Sequence, residues 1–197
     1  MAVTYLGGLT RSRTFVGDSI QRLKAYPLRN GDNAVMYSGT PVKLSVGYLD
    51  VATNAAAAVG VATMFQWIDK TTGQPQYSRY IPAATSNKNS GYNEGFTTPF
   101  ALVDDNPHAS FIIATETSVS AGNLGGLARV TNATAGSATT GRSSAKADLS
   151  GTAVSAGNAL FRIVGIHRIS DITSAGAEDN DWNSTSTLVE VLFQNHL

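Results

Sequence analysis

Short runs of β-branched and aromatic residues, broken by Gly, Pro, Asn and Asp about every ten residues, set the pattern of this chain. Such punctuation predicts strands, because an apolar face at a period of two is complete within about four to eight residues. The longest run is Ala159–Ile169, ALFRIVGIHRI. Its apolar residues occupy both alternate sets, Leu160, Val164 and Ile166 on one and Phe161, Ile163 and Ile169 on the other. That distribution predicts a central strand buried on two sides. Its expected partner is the C-terminal run Leu188–Asn195, where Val189, Val191 and Phe193 alternate with Glu190, Leu192 and Gln194. The alternation predicts a half-exposed strand, with the C-terminus locked into the sheet.

Nearer the N-terminus, Ala34–Tyr37 and Val42–Val51 read as strands broken by Gly39, Pro41 and Gly47. Thr53–Ala58 is an alanine-rich corner too short to hold a helix by itself. Val59–Asp69 is the next strong strand, and the loop KTTGQP (Lys70–Pro75) turns it back into Gln76–Ile81 as a hairpin. Pro82–Thr98 is polar and loop-like. Phe100–Val103 and Ser110–Thr115 are strands joined by a turn at Asp104–Pro107, in which Asn106 and Pro107 set the bend. Gly122–Gly157 is dominated by Ser, Thr, Ala and Gly and offers only Leu127–Val130 and Ala147–Leu149 as short strands. Ser170–Thr187 is a long polar crossover carrying Trp182, a large side chain in a polar setting and hence an expected interface anchor.

The first 33 residues show no clear period and concentrate basic charge in Arg11, Arg13, Arg22, Lys24 and Arg29. Apolar side chains are spaced singly there, at Tyr5, Leu6, Phe15, Ile20, Leu23 and Tyr26. Two readings fit: an arm laid across a neighbouring surface, or an irregular first strand and loop of the main domain. The organisation expected is an extended N-terminal arm over residues 1–33 and a single β domain over residues 34–197. Short strands with frequent turns make the fold class all-β, a jelly-roll-like sandwich or Greek-key barrel.

Composition adds a second constraint. Lys plus Arg equals Asp plus Glu at 14 each, and charged residues are only 14% of the 197. With no net field to hold a polyanion, nucleic acid is not an expected partner. A surface this poor in charge and rich in small side chains is tolerable where another protein covers it, which points to an assembly component. No cysteine is present, which removes thiol nucleophiles, thiolate metal sites and disulfides. No apolar run reaches membrane-spanning length, so no membrane partner is expected. The start, MAVTYLGGLTRSR, lacks an apolar signal core, and the expectation is a protein made and used without Sec export.

Several stretches look chemical. Phe15–Ile20, FVGDSI, resembles the nucleophile block of GDS-type esterases, but LTRSRT precedes it where a buried parallel strand should stand. That family's Asp-x-x-His appears only as Asp105 to His108, in mid-chain. Gly136–Ser143, GSATTGRS, has P-loop spacing with Arg142 for the lysine, yet no helical stripe follows to supply amides and dipole. His108, His167 and His196 are too dispersed to suggest a metal site, and Glu178, Asp179 and Asp181 lack the spacing of a calcium loop. No catalytic residue, metal ligand or cofactor is expected.

The order of several small motifs resembles that of the decoration (cement, or head auxiliary) proteins of tailed bacteriophages. The pieces are Gly60-Val61 leading into the hairpin with Thr72-Gly73 and Tyr77-Ser78, then Gly91-Tyr92-Asn93 and Asn106-Pro107 before Phe111. Gly141-Arg142-Ser143 before Asp148-Leu149, Phe161–Gly165 and the closing Asn195-His196 complete the order. Together they run from about Val59 to the C-terminus. The resemblance implies a non-enzymatic virion protein on the outer capsid surface, bridging subunits of the major capsid protein. It also implies self-association as a homodimer or homotrimer at local symmetry axes. Residues 1–33 carry none of it. The expected partner contacts are Tyr5, Leu6, Arg11, Arg13, Phe15 and Tyr26 of the arm, with Trp182. The alternative is a carbohydrate- or cell-surface-binding β module, a fibre or adhesin domain, with Trp67, Tyr77, Tyr80 and Tyr92 as stacking faces.

Overall fold

The computed structural model describes residues 7–14, 23–29, 35–54, 56–69, 72–83, 98–149, 154–167 and 187–196. Among them, sixteen strands and one 3-10 turn form, with no α-helix. The first eight strands are β1 (Thr10–Thr14), β2 (Leu23–Pro27), β3 (Met36–Tyr37), β4 (Pro41–Ser45), β5 (Tyr48–Val51), β6 (Ala58–Ile68), β7 (Pro75–Ser78) and β8 (Tyr80–Ile81). The rest are β9 (Phe100–Asp104), β10 (Ala109–Ala114), β11 (Leu127–Thr131), β12 (Gly136–Ser137), β13 (Arg142–Ser143), β14 (Lys146–Asp148), β15 (Phe161–Ile166) and β16 (Leu188–Phe193).

Two six-stranded antiparallel sheets carry the fold. The first has the order β1-β10-β16-β15-β11-β14, and the second β2-β9-β6-β4-β5 with β7 hairpinned onto β6. The small pairs β3-β8 and β12-β13 close one end. One core joins the inner faces, with Phe65, Trp67 and Val103 from the second sheet packed among Phe111, Ile113, Phe161, Ile163, Val189 and Val191 from the first. The protein is therefore an all-β, jelly-roll-like sandwich. The second sheet is built wholly from residues 23–104, whereas the first takes β1 from the N-terminal end and its other five strands from residues 109–193, so β1 ties the start of the chain to its second half.

The strand β15 pairs with β16 as expected, Phe161 facing Phe193 and Ile163 facing Val191. Their burial is reversed from expectation. In β15 only Phe161 and Ile163 are buried, Arg162 is exposed, and a bulge between Ile163 and Gly165 leaves Val164 and Ile166 half-buried. In β16 the residues Leu188, Val189, Glu190 and Val191 are all buried. Both strands are paired on both edges, so the difference lies in their outer faces: Glu190 of β16 is held by Ser12 of β1, whereas Arg162 of β15 is exposed. The Asn106-Pro107 turn also forms, with the Asn106 side chain accepting from the His108 amide at 2.9 Å. It does not make a hairpin, because β9 belongs to the second sheet and β10 to the first.

Two stretches of the segment expected as an arm are edge strands of this domain. The strand β1 pairs with β10, and β2 pairs with β9 through five residue pairs from Leu23–Asp104 to Pro27–Phe100. Edge strands need protection from further pairing, and Lys24 and Pro27 supply it on β2. Residues 1–6, 15–22 and 30–34 lie outside the described residues.

The β4–β5 hairpin turns on Val46-Gly47, whose φ angles are +51° and +82°. Positive φ at both loop positions is the type I′ geometry, which suits Asn-Gly and penalises a β-branched residue. Val46 is also 84% exposed, so its side chain gains nothing from packing. Val46→Asn is expected to stabilise the protein by about 1 kcal/mol, raising Tm by roughly 2–4 °C. A calorimetric melt that moves downward would contradict the turn geometry.

Candidate interaction surface

Strand alternation assigns each side chain of the second sheet to one face, and the pairing register then sets them in rows. Ala101, Val103, Phe65 and Trp67 face the core and are buried. On the opposite face, Tyr77, Gln66, Phe100 and Pro27 stand side by side across β7, β6, β9 and β2. The next row is Met64, Leu102 and Ala25, and beyond it Leu23 lies opposite Asp104. With strands about 4.8 Å apart, the first row is roughly 14 Å wide, and rows succeed one another about every 6.6 Å. Tyr77 is 64%, Leu23 43% and Met64 42% exposed, while Phe100 and Leu102 are half-buried. This is a contiguous apolar surface on the outer side of the sheet, the kind that marks a protein-binding face.

Polar chemistry gathers at one end of that face. The Arg11 Nη1 group donates to both carboxylate oxygens of Asp104, at 3.1 and 2.9 Å. Asp104 is 1% exposed, so this ion pair is desolvated and pins β1 of one sheet to β9 of the other. Beside it opens a cleft of about 520 Å³ whose walls include Leu23, Met64 and Leu102 from the apolar rows and Arg79 and Arg142 opposite. The two arginines are brought together by the backbone: the Ser38 amide is shared between the carbonyls of Arg79 at 2.6 Å and Gly141 at 3.0 Å. Gly141 has φ +68°, and a methyl group there would meet the Arg79 Cβ.

A second polar group lies on the outer face of the first sheet, where Ser12 Oγ donates to Glu190 Oε1 at 2.9 Å and His167 Nδ1 stands 3.7 Å from the same oxygen. It links β1 to β16 across β10.

The expected contact residues divide. Arg11 is largely buried in its ion pair, and Tyr26 packs against the core with its hydroxyl donating to Asp105 at 2.9 Å. Both hold the domain together in this structure. Arg13 lies on β1, with its side chain outside the description, and Tyr5, Leu6, Phe15 and Trp182 fall outside the described residues. The exposed residues Met64 and Tyr77, with half-buried Leu102 and Phe100, were not singled out from sequence as a surface. Their neighbourhood depends on which strands pair, and no local pattern encodes that.

Of the aromatic rings weighed for sugar stacking, Trp67 is in the core, and Tyr80 is half-buried and stacked on Tyr37 at 6.0 Å. Tyr77 is exposed, and Tyr92 lies outside the described residues. Gly136–Ser143 is the β12–β13 hairpin with strand β14 after it, so Gly136 lies in a strand, Gly141 in the turn, and no helix follows them. Ser19 of the esterase-like block lies outside the described residues. Among the described residues, no three His, Asp or Glu side chains converge as metal ligands. No helix among them is long and apolar enough to cross a membrane. In comparison with known proteins, the chain matches no family model, no curated protein and no solved structure.

Proposed function

We propose that this protein is a structural component of a phage virion, a decoration protein on the outer capsid surface that bridges neighbouring major capsid subunits. The observation that carries the reading is the apolar outer face of the second sheet, with Tyr77, Met64 and Leu23 exposed on it. An exposed apolar face on a chain with only 14% charged residues suits permanent contact with another protein. The ordered motifs that resemble decoration proteins support the same reading, as do the absence of cysteine and the zero net charge.

The mechanism is mechanical and involves no catalysis. A pressurised shell yields by separation at the joints between capsomers, and a protein seated across a joint adds buried area that must be lost first. Many copies act together, so moderate affinity per copy suffices. Self-association as a dimer or trimer at a local axis multiplies the contacts.

Met64→Asp combined with Leu23→Asp places two charges on the proposed contact face without touching the core. Cosedimentation with purified heads of the encoding virus is expected to weaken by roughly thirty-fold or more, as for loss of an interface hot spot. Tm should stay within a few degrees. Heads that bind the double variant as well as the wild type would remove this face from the proposal. Wild-type protein that fails to sediment with heads, together with glycan binding through Tyr77, would replace capsid decoration by the adhesin reading.

A further inference from the structure

We infer that the cleft at the end of the apolar face is a recognition site for an extended peptide segment bearing a carboxylate flanked by apolar side chains. Three arginines and one aspartate line it, leaving two positive charges unbalanced in a protein whose formal net charge is zero. Arg11 is occupied by Asp104. Among the described residues, no carboxylate lies within ion-pair distance of Arg79 or Arg142. Guanidinium groups match a carboxylate through paired N–H donors.

The placement of the two arginines is built by the fold. Arg142 follows the positive-φ Gly141 and bridges to Ser38, and its hairpin is pressed on the ring of Tyr37 at Gly136, where a Cβ would collide with that ring. Tyr37 in turn stacks on Tyr80, next to Arg79. The cationic wall is thus braced from behind by aromatic packing, so less ordering cost falls on binding.

The rest of the cleft selects a peptide over a small anion. Leu9, Leu23, Val61, Met64, Leu102 and Phe111 supply its apolar wall. Its volume of about 520 Å³ falls in the usual range for ligand clefts. It opens onto the apolar rows through Leu23, Met64 and Leu102, so a segment anchored by its carboxylate can continue along the sheet face. Assigning that segment to the major capsid protein rests on the proposed function, whereas the peptide chemistry does not.

The test uses the full chain and the blocked tripeptide acetyl-Leu-Glu-Leu-amide, with its Gln counterpart as control, followed by two-dimensional NMR of the arginine Nε–Hε groups. The Glu peptide is expected to shift the Arg79 and Arg142 side-chain signals, with the Gln peptide at least about tenfold weaker, the loss of one charged contact. Arg79→Gln/Arg142→Gln should abolish the peptide-induced shifts of the remaining cleft signals, Arg11 Nε–Hε and the Met64 and Leu102 amides, at unchanged Tm, and exposed Arg79→Glu alone should weaken them if the double variant folds poorly. No shift, equal shifts from both peptides, or saturation by inorganic phosphate in place of the peptide would each overturn the inference. Wild-type binding to heads with undiminished binding by the arginine variant would overturn this site and leave the decoration reading standing. Peptide binding without head binding would do the reverse.

Discussion

Removal of residues 187–197 is expected to abolish the folded state altogether. The lost strand, β16, sits between β10 and β15, and its pairing with each runs through Phe111–Val191, Ile113–Val189, Phe161–Phe193 and Ile163–Val191. Without it the first sheet separates into β1-β10 and β15-β11-β14, and two sets of backbone groups lose their partners at once. Burial of Leu188, Val189 and Val191 is worth roughly 1.5–3 kcal/mol each, so their loss approaches the whole stability of about 5–15 kcal/mol for a domain. Phe193, packed at 5.6 Å from both Phe111 and Phe161, goes with them. The truncated chain should show no cooperative transition by circular dichroism in a thermal or guanidinium titration. A cooperative melt within a few degrees of the full chain would mean that β16 is dispensable.

Addition of a single methyl group should come close to the same result at Gly60. This residue lies in β6, paired with Val42 of β4 on one side, while β9 runs along the other. A Cβ built there would overlap the carbonyl oxygen of Asp104. The obstacle is backbone, held in place by the β6–β9 register and by the Arg11 ion pair at the Asp104 side chain, so it cannot rotate aside. Gly60→Ala is therefore expected to destabilise by more than about 3 kcal/mol, well outside the ordinary cost of replacing a strand glycine. Gly73, with open space around its Cβ position, is the control. Equilibrium unfolding in urea should show a large drop in midpoint for Gly60→Ala and only a small one for Gly73→Ala, the latter from its φ of +67°. Comparable drops for both would put the tight approach at Gly60 in doubt.

Deleting residues 2–16 would isolate the role of an arm only if those residues stood apart from the domain. Residues 10–14 do not: β1 is hydrogen-bonded to β10, and Arg11 neutralises a buried carboxylate. The deletion strips an edge strand and leaves Asp104 without that charge partner, so any loss of head binding would report on folding as well as contact. Surface substitutions at Leu23 and Met64 separate the two.

The features legible in the chain were local ones. Val59–Asp69, Phe100–Val103 and Ser110–Thr115 carry enough β-branched and aromatic residues to be strands wherever they are placed, and β6, β9 and β10 fall on them. The turns at Gly47, Gly73 and Asn106-Pro107 follow from residues whose backbone preferences act within four positions. Gly60 at a close backbone approach and Gly141 at a positive φ are further points of this kind. They are positions where geometry limits the choice of residue.

Residue order was enough to establish an all-β protein, the location of most strands and turns, and a chain with zero net charge and few charged residues. It was enough, too, to identify β15 and β16 as strands, because alternation and β-propensity are written in neighbouring residues. Only the folded chain reveals that β16 is the more buried of the two, since burial of a strand's outer face depends on what the rest of the chain lays over it. Only there does Arg11 meet Asp104 across 93 positions of sequence, and only there do Tyr77, Met64, Leu102 and Leu23 form one face. Those relations come from long-range register, where the partner of each residue is chosen by the packing of the whole core and no local period records it.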